Sequence, residues 1–367
     1  MTSSTSATSV VRSKPNIGVF TNPKHALYIA ECEPKAENLT PGPGEVIVQV
    51  RATGICGSDI HFQQHGQIGP TMVVRDEHIL GHESAGEVIA VHPDVKDLEI
   101  GDRVALEPGI PCQNCDECLQ GRYHGCPDVQ FKSTPPVPGL LRRYLNHPAR
   151  YCHKIGNMSY EDGALLEPIC VSLVGVEHAN VGLADPVVIC GAGPIGVISA
   201  ACARAAGAEP LVITDIDQGR LDYAKKFVPG LRTVLVDRSD EPQQVADKII
   251  KTAEMRPKIC IECTGMEASI SAGIYSLAFA GTIHVVGVGK DFQNIPFMHL
   301  SANELTMKYQ YRYANAWPKA IRLVNGGLID VSALITHRFP LEESDKAFNQ
   351  VGKDGAVKVM IVDGEAK

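Results

Sequence analysis

Four cysteines in one short segment form the first of two potential metal-ligand sets in the sequence. They are Cys112, Cys115, Cys118 and Cys126. Four thiolates from one loop satisfy the tetrahedral coordination of a structural zinc ion and leave no position for a substrate. We therefore predict that about residues 109–127 form a lobe around a structural zinc.

A second ligand set is drawn from distant segments and is chemically mixed. It consists of Cys56, then His82 and Glu83 in GHESAGEV, and Glu167 in LLEPICV. A thiolate, an imidazole and carboxylates can hold a zinc ion while one coordination position stays free for a substrate. This set predicts a catalytic zinc, and the sequence leaves open whether Glu167 binds the metal directly or holds its water.

The other cysteines and the overall composition indicate a globular protein with reduced thiols. No apolar signal segment is recognised and the chain is far larger than disulfide-dependent small domains, so we expect a cytoplasmic protein. The net charge of -8 opposes a nucleic-acid partner. No run approaches the roughly 20 apolar residues of a membrane span. Seven cysteines, mostly in apolar runs, are assigned to packing: Cys32, Cys152, Cys170, Cys190, Cys202, Cys260 and Cys263.

The pattern of predicted elements changes near residue 175, which indicates two domains in the 367 residues. Residues 1–174 contain short β-rich runs, such as EVIVQVRATG and SAGEVIAVHP, separated by glycine and proline. Residues 175–315 alternate strands and helices, which predicts a doubly wound parallel sheet. We expect residues 316–367, which contain WPKAIRLVNGG and AVKVMIV, to return to the first domain as a helix and a strand.

The strands and helices of the second domain are predicted from apolar runs and helical periodicity. The strands are Val187 to Cys190, Leu211 to Thr214, Ile259 to Glu262 and Thr282 to Val286, and the helices are Ile195 to Ala206 and Gln218 to Phe227.

A glycine-rich turn, GAGPIG, follows the first of these strands and opens a helix. Gly191, Gly193 and Gly196 meet the needs of a tight turn, of close approach to a pyrophosphate and of helix packing on the sheet. Asp215 ends the next strand, where a carboxylate can accept both ribose hydroxyls. Asp215 would repel a 2′-phosphate and the following Ile216 offers no positive charge, so the pattern predicts NAD rather than NADP.

Together, the open ligand set and the dinucleotide turn predict alcohol oxidation. A Lewis acid lowers the pKa of a substrate hydroxyl, and a nicotinamide accepts hydride from the same carbon. Ser58 and His61 follow the ligand Cys56 closely and are candidates to relay the released proton. A scaffold role for both is the alternative. Asp59 is a candidate hydrogen-bond partner for a ligand histidine.

The motifs quoted above, with the CGSDIH loop, resemble those of zinc-dependent medium-chain alcohol and polyol dehydrogenases from about Lys14 to Ile361. The resemblance implies an α/β fold with a GroES-like catalytic domain and a Rossmann domain. It favours the polyol branch, because Glu167 stands where similar alcohol dehydrogenases have a third cysteine ligand. By the same resemblance, the substrate candidates are Phe62, Phe131, Thr134, Glu167, Arg312 and Tyr313. The cofactor candidates, besides the three glycines and Asp215, are Pro194, Ile195, Arg220, Val288, Tyr311, Arg312 and Tyr313.

Three stretches, KPNIGVFTNPKH, STPPVPGLLRRYLNHP and RYCHKIGNMS, are most similar to fungal L-arabinitol 4-dehydrogenases. The complete cysteine quartet agrees, since animal sorbitol dehydrogenases lack it. The resemblance implies NAD-dependent oxidation of L-arabinitol to L-xylulose in L-arabinose catabolism, with two zinc ions per subunit and a homotetramer. Xylitol or D-sorbitol oxidation is the alternative. Gln63 stands where relatives commonly have tryptophan, which bears on the substrate ranking.

Other classes of protein explain fewer of these residues. A zinc-ribbon nucleic-acid module would leave Cys56, His82, Glu83 and Asp215 without a role, and the acidic balance opposes it. A zinc hydrolase is disfavoured because Glu83 is followed by SAG and no second histidine completes HExxH. A catalytically silent structural relative should lack a member of the open ligand set, and none is missing.

Overall fold

The computed structural model describes residues 13–353 and 355–364. They form two compact units. The first unit contains the described residues up to Glu167 and those from Ile335 onward, and the second is Pro168–Leu334. No helix in this described part of the chain combines the length and the apolar content that a membrane crossing needs.

The first part of the chain folds mainly as strands, several of them very short. The strands are β1 (Ile17–Thr21), β2 (Tyr28–Glu31), β3 (Glu45–Gly54), β4 (Gln67–Ile68), β5 (Met72–Val73), β6 (His78–Ile79), β7 (Glu83–Val91), β8 (Arg103–Leu106), β9 (Gly109–Ile110), β10 (Gln130–Phe131), β11 (Tyr144–Pro148) and β12 (Cys152–Lys154). The α-helices are α1 (Gly57–His65), α2 (Asp116–Leu119) and α3 (Tyr160–Ala164), and single 3₁₀ turns cover Ala36–Asn38, Tyr123–Gly125 and Ala149–Tyr151.

From residue 166 the chain alternates helices and strands. The helices are α4 (Leu166–His178), α5 (Pro194–Ala205), α6 (Gln218–Phe227), α7 (Pro242–Ala253), α8 (Glu267–Ser276), α9 (Phe297–Ala302) and α10 (Trp317–Asn325). The strands are β13 (Val187–Cys190), β14 (Leu211–Asp215), β15 (Arg232–Leu235), β16 (Ile259–Glu262), β17 (Thr282–Val285) and β18 (Thr306–Tyr309). The last elements are β19 (Ile335–Pro340), α11 (Ser344–Gln350) and β20 (Lys358–Val362), with 3₁₀ turns at Ser332–Leu334 and Leu341–Glu343.

The first unit is built around the long strand β3. It pairs antiparallel with β7, β11 and β20 in a seven-stranded sheet whose path is β12-β8-β7-β3-β20-β19. The β-branched residues Val46, Val48 and Val50 of β3 point to one buried cluster that also contains Val88 and Val104. This alternation of valines fits the period of two that places one face of a strand against a core.

The second unit is a six-stranded, fully parallel sheet in the order β15-β14-β13-β16-β17-β18. All four residues of β13 and of β16 are buried, as expected for parallel strands covered by helices on both faces. The α/β fold with a doubly wound parallel sheet is confirmed. All six predicted elements agree with the structure within one residue at both ends, and three of them, Val187–Cys190, Ile259–Glu262 and Gln218–Phe227, have the predicted bounds.

The unit boundaries lie at other positions than the predicted 174/175 and 315/316. The first boundary lies between Glu167 and Pro168, in the first turn of helix α4, so that nearly all of α4 belongs to the second unit. Residues 316–334 belong to the second unit and not to the first. In that segment Lys319 forms an ion pair with Glu177, and the Tyr223 hydroxyl donates a 2.8 Å hydrogen bond to the carbonyl of Ala333. Among the described residues after 315, those that return to the first unit begin at Ile335 and form β19, α11 and β20.

Candidate catalytic and cofactor-binding sites

Cys56, His82 and Glu83 come together where strand β3 ends. The last antiparallel pair between β3 and β7 joins Gly54 and Glu83. Cys56 follows Gly54 by two residues and therefore lies beside the first residue of β7. One ligand atom from each of the three residues lies within 4.8 Å of the others. His82 and Glu83 are buried and Cys56 is half-buried. A thiolate, an imidazole and a carboxylate at this spacing fit a zinc ion.

Asp59 connects the segments that carry these ligands. Its carboxylate accepts hydrogen bonds from the backbone of Cys56 at 3.0 Å and of Gly81 at 2.9 Å, and from the hydroxyl of Ser133 at 3.1 Å. It also lies 3.6 Å from Nδ1 of His82. Burial alone would raise the pKa of Asp59, but His82 and the backbone N–H donors hold it below its usual value. An ionised Asp59 therefore orients His82, as predicted from its position in the sequence.

Lys358 is a buried charge at this site that the sequence analysis missed. Its ammonium donates hydrogen bonds to Oε1 of Glu83 at 2.7 Å and to the carbonyl of Ile55 at 3.1 Å. Burial would lower the pKa of Lys358, but the Glu83 carboxylate outweighs that effect and raises it. The available signal was a lysine inside the apolar run AVKVMIV, because a lysine is rarely buried in a strand without a paired charge.

Room for the Glu83 carboxylate depends on a glycine in the neighbouring strand. A Cβ on Gly54 would lie only 2.2 Å from Oε2 of Glu83. Oε2 is buried and forms an ion pair with Lys358 Nζ at 2.5 Å. Glu167 is buried at the start of α4 and acts electrostatically on Lys358, but it lies outside the group of three ligand atoms. Its role stays a prediction.

The two predicted proton-relay residues lie on helix α1, directly after Cys56. Ser58 is half-buried, whereas His61 is exposed and its ring lies 5.4 Å from that of His65. Helix α1 is capped at its start by the Asp59 carboxylate and ends at Gly66 in the left-handed conformation. The helix therefore fixes the backbone of both residues, and their part in proton transfer stays a prediction.

The predicted substrate residues of the first unit differ in their surroundings. The Phe131 ring lies 5.9 Å from the ring of His82, and Thr134 donates a backbone hydrogen bond to Phe131 at 3.0 Å. Phe131 is thus close to the open ligand set, and Thr134 lies in the turn that follows Phe131. Phe62 instead lies in an apolar cluster, and its ring is 6.1 Å from that of His78. Phe62 therefore packs within the first unit, and its contact with the substrate stays a prediction.

The four cysteines of the predicted lobe also come together, with their sulfur atoms within 4.8 Å of one another. Cys115 directly precedes the short helix α2 and Cys118 lies within it, and their sulfurs are 3.4 Å apart. Backbone hydrogen bonding, chiefly from Asn114, lowers the pKa of Cys112 to about 7, whereas burial raises the pKa of Cys126, so the thiolate that a metal requires is most favoured at Cys112. All twelve cysteines, each of which the structure describes, are free of disulfides.

The GAGPIG turn has the geometry that a dinucleotide pyrophosphate needs. Gly191 has a φ of +97°, and a Cβ on Gly196 would lie 1.8 Å from the carbonyl oxygen of Gly191. A Cβ on Gly193 would meet no atom within 4 Å, so the backbone there faces open space. Pro194 begins α5, and Ile195 follows half-buried in its first turn. The free N–H groups of a helix start attract a phosphate.

Asp215 ends strand β14 beside this turn. Its Oδ2 accepts a 2.7 Å hydrogen bond from Ala192, within the glycine turn, and Oδ1 accepts a 2.9 Å bond from Asp217. Arg220 Nη1 is 4.0 Å from the same carboxylate. Ile216 is 48% exposed and provides no charge beside it. The arrangement suits a ribose with free hydroxyls better than one with a 2′-phosphate.

The remaining predicted cofactor residues lie in the second unit in contrasting environments. Val288 is 79% exposed and Tyr311 is 55% exposed. The guanidinium of Arg312 stacks over the Tyr311 ring at 4.7 Å. Tyr313 is buried, with its ring 6.1 Å from that of Trp317. Val288, Tyr311 and Arg312 therefore present accessible surface, whereas Tyr313 presents little.

Comparisons with known proteins match both parts of the chain. A family profile described as "Alcohol dehydrogenase GroES-like domain" matches residues 42–157, and one described as "Zinc-binding dehydrogenase" matches residues 194–326. An Escherichia coli oxidoreductase of unknown specificity has a similar structure, with a TM-score of 0.87 and 29% identity over 96% of this chain and 100% of that chain.

Curated relatives match nearly the whole length. An L-arabinitol 4-dehydrogenase of Aureobasidium melanogenum is 56% identical over 95% of this chain and 96% of the relative. A sorbitol dehydrogenase of Bos taurus is 42% identical over 88% of this chain and 90% of the relative. The resemblance described from the sequence motifs is thereby confirmed, and the chain belongs to the zinc-binding dehydrogenases that carry an alcohol dehydrogenase GroES-like domain.

Proposed function

We propose that this protein is a zinc- and NAD-dependent polyol dehydrogenase that oxidises L-arabinitol to L-xylulose. The observation that carries the proposal is the buried group of Cys56, His82 and Glu83. This mixed ligand set would be unnecessary for a structural metal, because the chain already has four cysteines for that purpose.

Each site has a defined task in this proposal. Cys56, His82 and the carboxylates of Glu83 and Glu167 would hold the catalytic zinc, while Gly191, Gly193, Gly196 and Asp215 would hold NAD. When bound, zinc supplies Lewis-acid polarisation of a hydroxyl, and NAD supplies a hydride acceptor. Asp59 holds the imidazole of His82 in its binding orientation. Ser58 and His61 carry the hydroxyl proton toward solvent, which the exposure of His61 permits.

The identity of the polyol follows from the relatives. Fungal L-arabinitol 4-dehydrogenases share 54–57% identity with the chain, against 42% for sorbitol dehydrogenases. D-sorbitol or xylitol is the second candidate, favoured by the sorbitol dehydrogenase relatives. Gln63, where relatives commonly carry tryptophan, is half-buried and donates a 3.3 Å hydrogen bond to the carbonyl of His25.

A direct comparison of substrates tests the proposal. The kcat/KM values for L-arabinitol, xylitol and D-sorbitol would be measured with NAD, and repeated with NADP. We expect L-arabinitol with NAD to give the highest value. A clear preference for D-sorbitol would overturn the substrate assignment, and the absence of polyol oxidation with either cofactor would overturn the activity.

Finer features belong to the same proposal. We expect two zinc ions per chain, one in each ligand set, which metal analysis of the purified protein would count. We also expect the protein to be a homotetramer and to be located in the cytoplasm. Light scattering and fractionation would check them.

A further inference from the structure

Glu262, the last residue of β16, has a fully buried carboxylate. Its Oε1 accepts hydrogen bonds from the backbone of Thr264 at 2.9 Å, from the hydroxyl of Thr264 at 2.5 Å and from Ser269 at 2.9 Å. Its Oε2 accepts a 2.8 Å bond from the backbone of Gly265. Four neutral donors thus satisfy the two oxygens of this buried side chain, and the proposed chemistry gives Glu262 no task.

The position of Glu262 in the sheet brings this network to the dinucleotide turn. Strands β13 and β16 are parallel neighbours, and Cys190 at the end of β13 pairs with Glu262. The glycine turn follows Cys190 directly. The order of the strands also reverses between β13 and β16, since β14 and β15 lie on one side and β17 and β18 on the other. Open α/β sheets bind ligands at the carboxyl ends of strands at such a point.

Thr264 connects the Glu262 carboxylate to the glycine-rich turn. A Cβ on Gly191 would lie 2.7 Å from Cγ2 of Thr264, so the methyl group packs directly against the first glycine. The hydroxyl of Thr264 donates to Glu262 and accepts a 3.0 Å bond from the backbone of Met266. With both hydroxyl functions engaged, the side chain has one favoured orientation, which keeps the methyl group against Gly191.

The backbone carbonyl of Glu262 holds a second loop. It accepts hydrogen bonds from Val286 at 2.8 Å and from Gly287 at 3.0 Å. A Cβ on Gly287 would lie 2.1 Å from the nitrogen of Gly265, which itself has a φ of +70°. The loops after β16 and β17 therefore pack backbone against backbone, and Val288 lies at the exposed end of this contact.

We propose that Glu262 is a positioning residue for the dinucleotide, which acts through Thr264 on Gly191 and through its carbonyl on residues 286–288. The proposal rests on the NAD-dependent function above. A carboxylate is required at position 262 because it accepts the hydrogen bonds from all four donors and has no N–H or O–H group of its own. A glutamine would have one acceptor oxygen, and its own N–H groups would face donors. Loss of this network should loosen the glycine turn and weaken dinucleotide binding.

The first test is Glu262→Gln in the full-length enzyme, with NADH binding measured by nucleotide fluorescence. We expect the Kd for NADH to rise about tenfold. The KM for NAD should rise in parallel, while kcat at saturating NAD should stay within about twofold, because no group that contacts the polyol has changed. A variant that binds NADH as tightly as the parent would contradict the proposal.

A variant of Thr264 tests the same role of the network in NADH binding if the Glu262 variant does not fold. Thr264→Ser keeps the hydroxyl bonds but removes the methyl group from Gly191, so we expect a Kd for NADH raised about threefold or more with little change in Tm. Ser276→Ala is the matched control, because it removes a buried hydroxyl of the same helix α8 that donates its 2.8 Å hydrogen bond to the carbonyl of Gly273 and not to Glu262. It should leave the Kd within about twofold.

The outcomes separate this inference from the proposed function. A parent enzyme that binds NADH, combined with a Thr264→Ser variant of unchanged Kd, would overturn the positioning role alone. A parent that does not bind NADH at all would overturn the dinucleotide function and this inference with it.

Discussion

At the residue scale, the buried ion pair between Lys358 and Glu83 makes a testable contribution to stability. Lys358→Met would leave the Glu83 carboxylate buried without its cation, which costs about 3–5 kcal/mol when one partner of a buried pair is removed. We expect the free energy of unfolding of the zinc-free protein, measured in urea by circular dichroism, to fall by that amount.

The control for this prediction is a surface pair in the same chain. Lys319 and Glu177 are both about half exposed, with side-chain accessibilities of 50% and 41%. Lys319→Met should therefore change the free energy of unfolding by about 0.5 kcal/mol or less. Equal effects of the two substitutions would mean that Lys358 is not held as a buried pair.

Cofactor choice is also a property of single residues. Asp215→Ser with Ile216→Arg removes a carboxylate that would repel a 2′-phosphate and adds a cation, and it frees Arg220, now 4.0 Å from Asp215. We expect the ratio of kcat/KM with NADP to that with NAD to rise about tenfold or more. Ile216→Arg alone is the control and should give a smaller rise. An unchanged ratio in the double variant would place the ribose elsewhere.

Site residues could be predicted from the sequence where their residue type or their neighbours along the chain indicated metal-ligand chemistry. Cys56, His82 and Glu83 were recognised from their ligand chemistry, and the structure brings them together. Lys358 and Glu262 were missed, because their importance arises from pairing between distant strands. A lysine or a glutamate at the edge of an apolar run does not reveal which carboxylate or loop it will meet.

At the scale of elements, the four-cysteine lobe should contribute to stability and not to chemistry. Cys115→Ser removes one of four sulfurs that lie within 4.8 Å of one another. We expect the variant to lose about one zinc per chain and its Tm to fall by about 5 °C or more. Thermal unfolding and metal analysis would be measured together.

The comparison variant for the lobe is Gln120→Ala, an exposed position beside helix α2. It should retain the zinc content and the Tm of the parent. A Cys115→Ser protein with full zinc content and unchanged Tm would show that the quartet holds no structural metal.

The elements of the second unit were predictable because their signals are local. Apolar strands and helical periodicity repeat along residues 187–286, and Gln218–Phe227 was predicted at its observed bounds. Strands such as Gln67–Ile68 and Met72–Val73 have two residues each. Such strands exist only through their pairing with a partner, and two residues carry no periodicity to recognise.

At the scale of the whole molecule, the boundaries of the units were the least predictable feature. Helix α4 crosses the expected boundary, and residues 316–334 stay with the second unit through contacts such as Tyr223 with Ala333. These contacts join segments far apart in sequence. The return of β20 to the first unit was expected, and the structure adds that it pairs antiparallel with β3.

The central claim is that a metal ion held by Cys56, His82 and the neighbouring carboxylates is required for oxidation of a polyol by NAD. The most direct test removes zinc with a chelator and then measures the rate of NAD reduction with L-arabinitol, before and after zinc is restored. We predict a loss of at least about a thousandfold in kcat, with activity recovered on addition of zinc. Metal-free protein that reduces NAD at the rate of the untreated enzyme would contradict the claim.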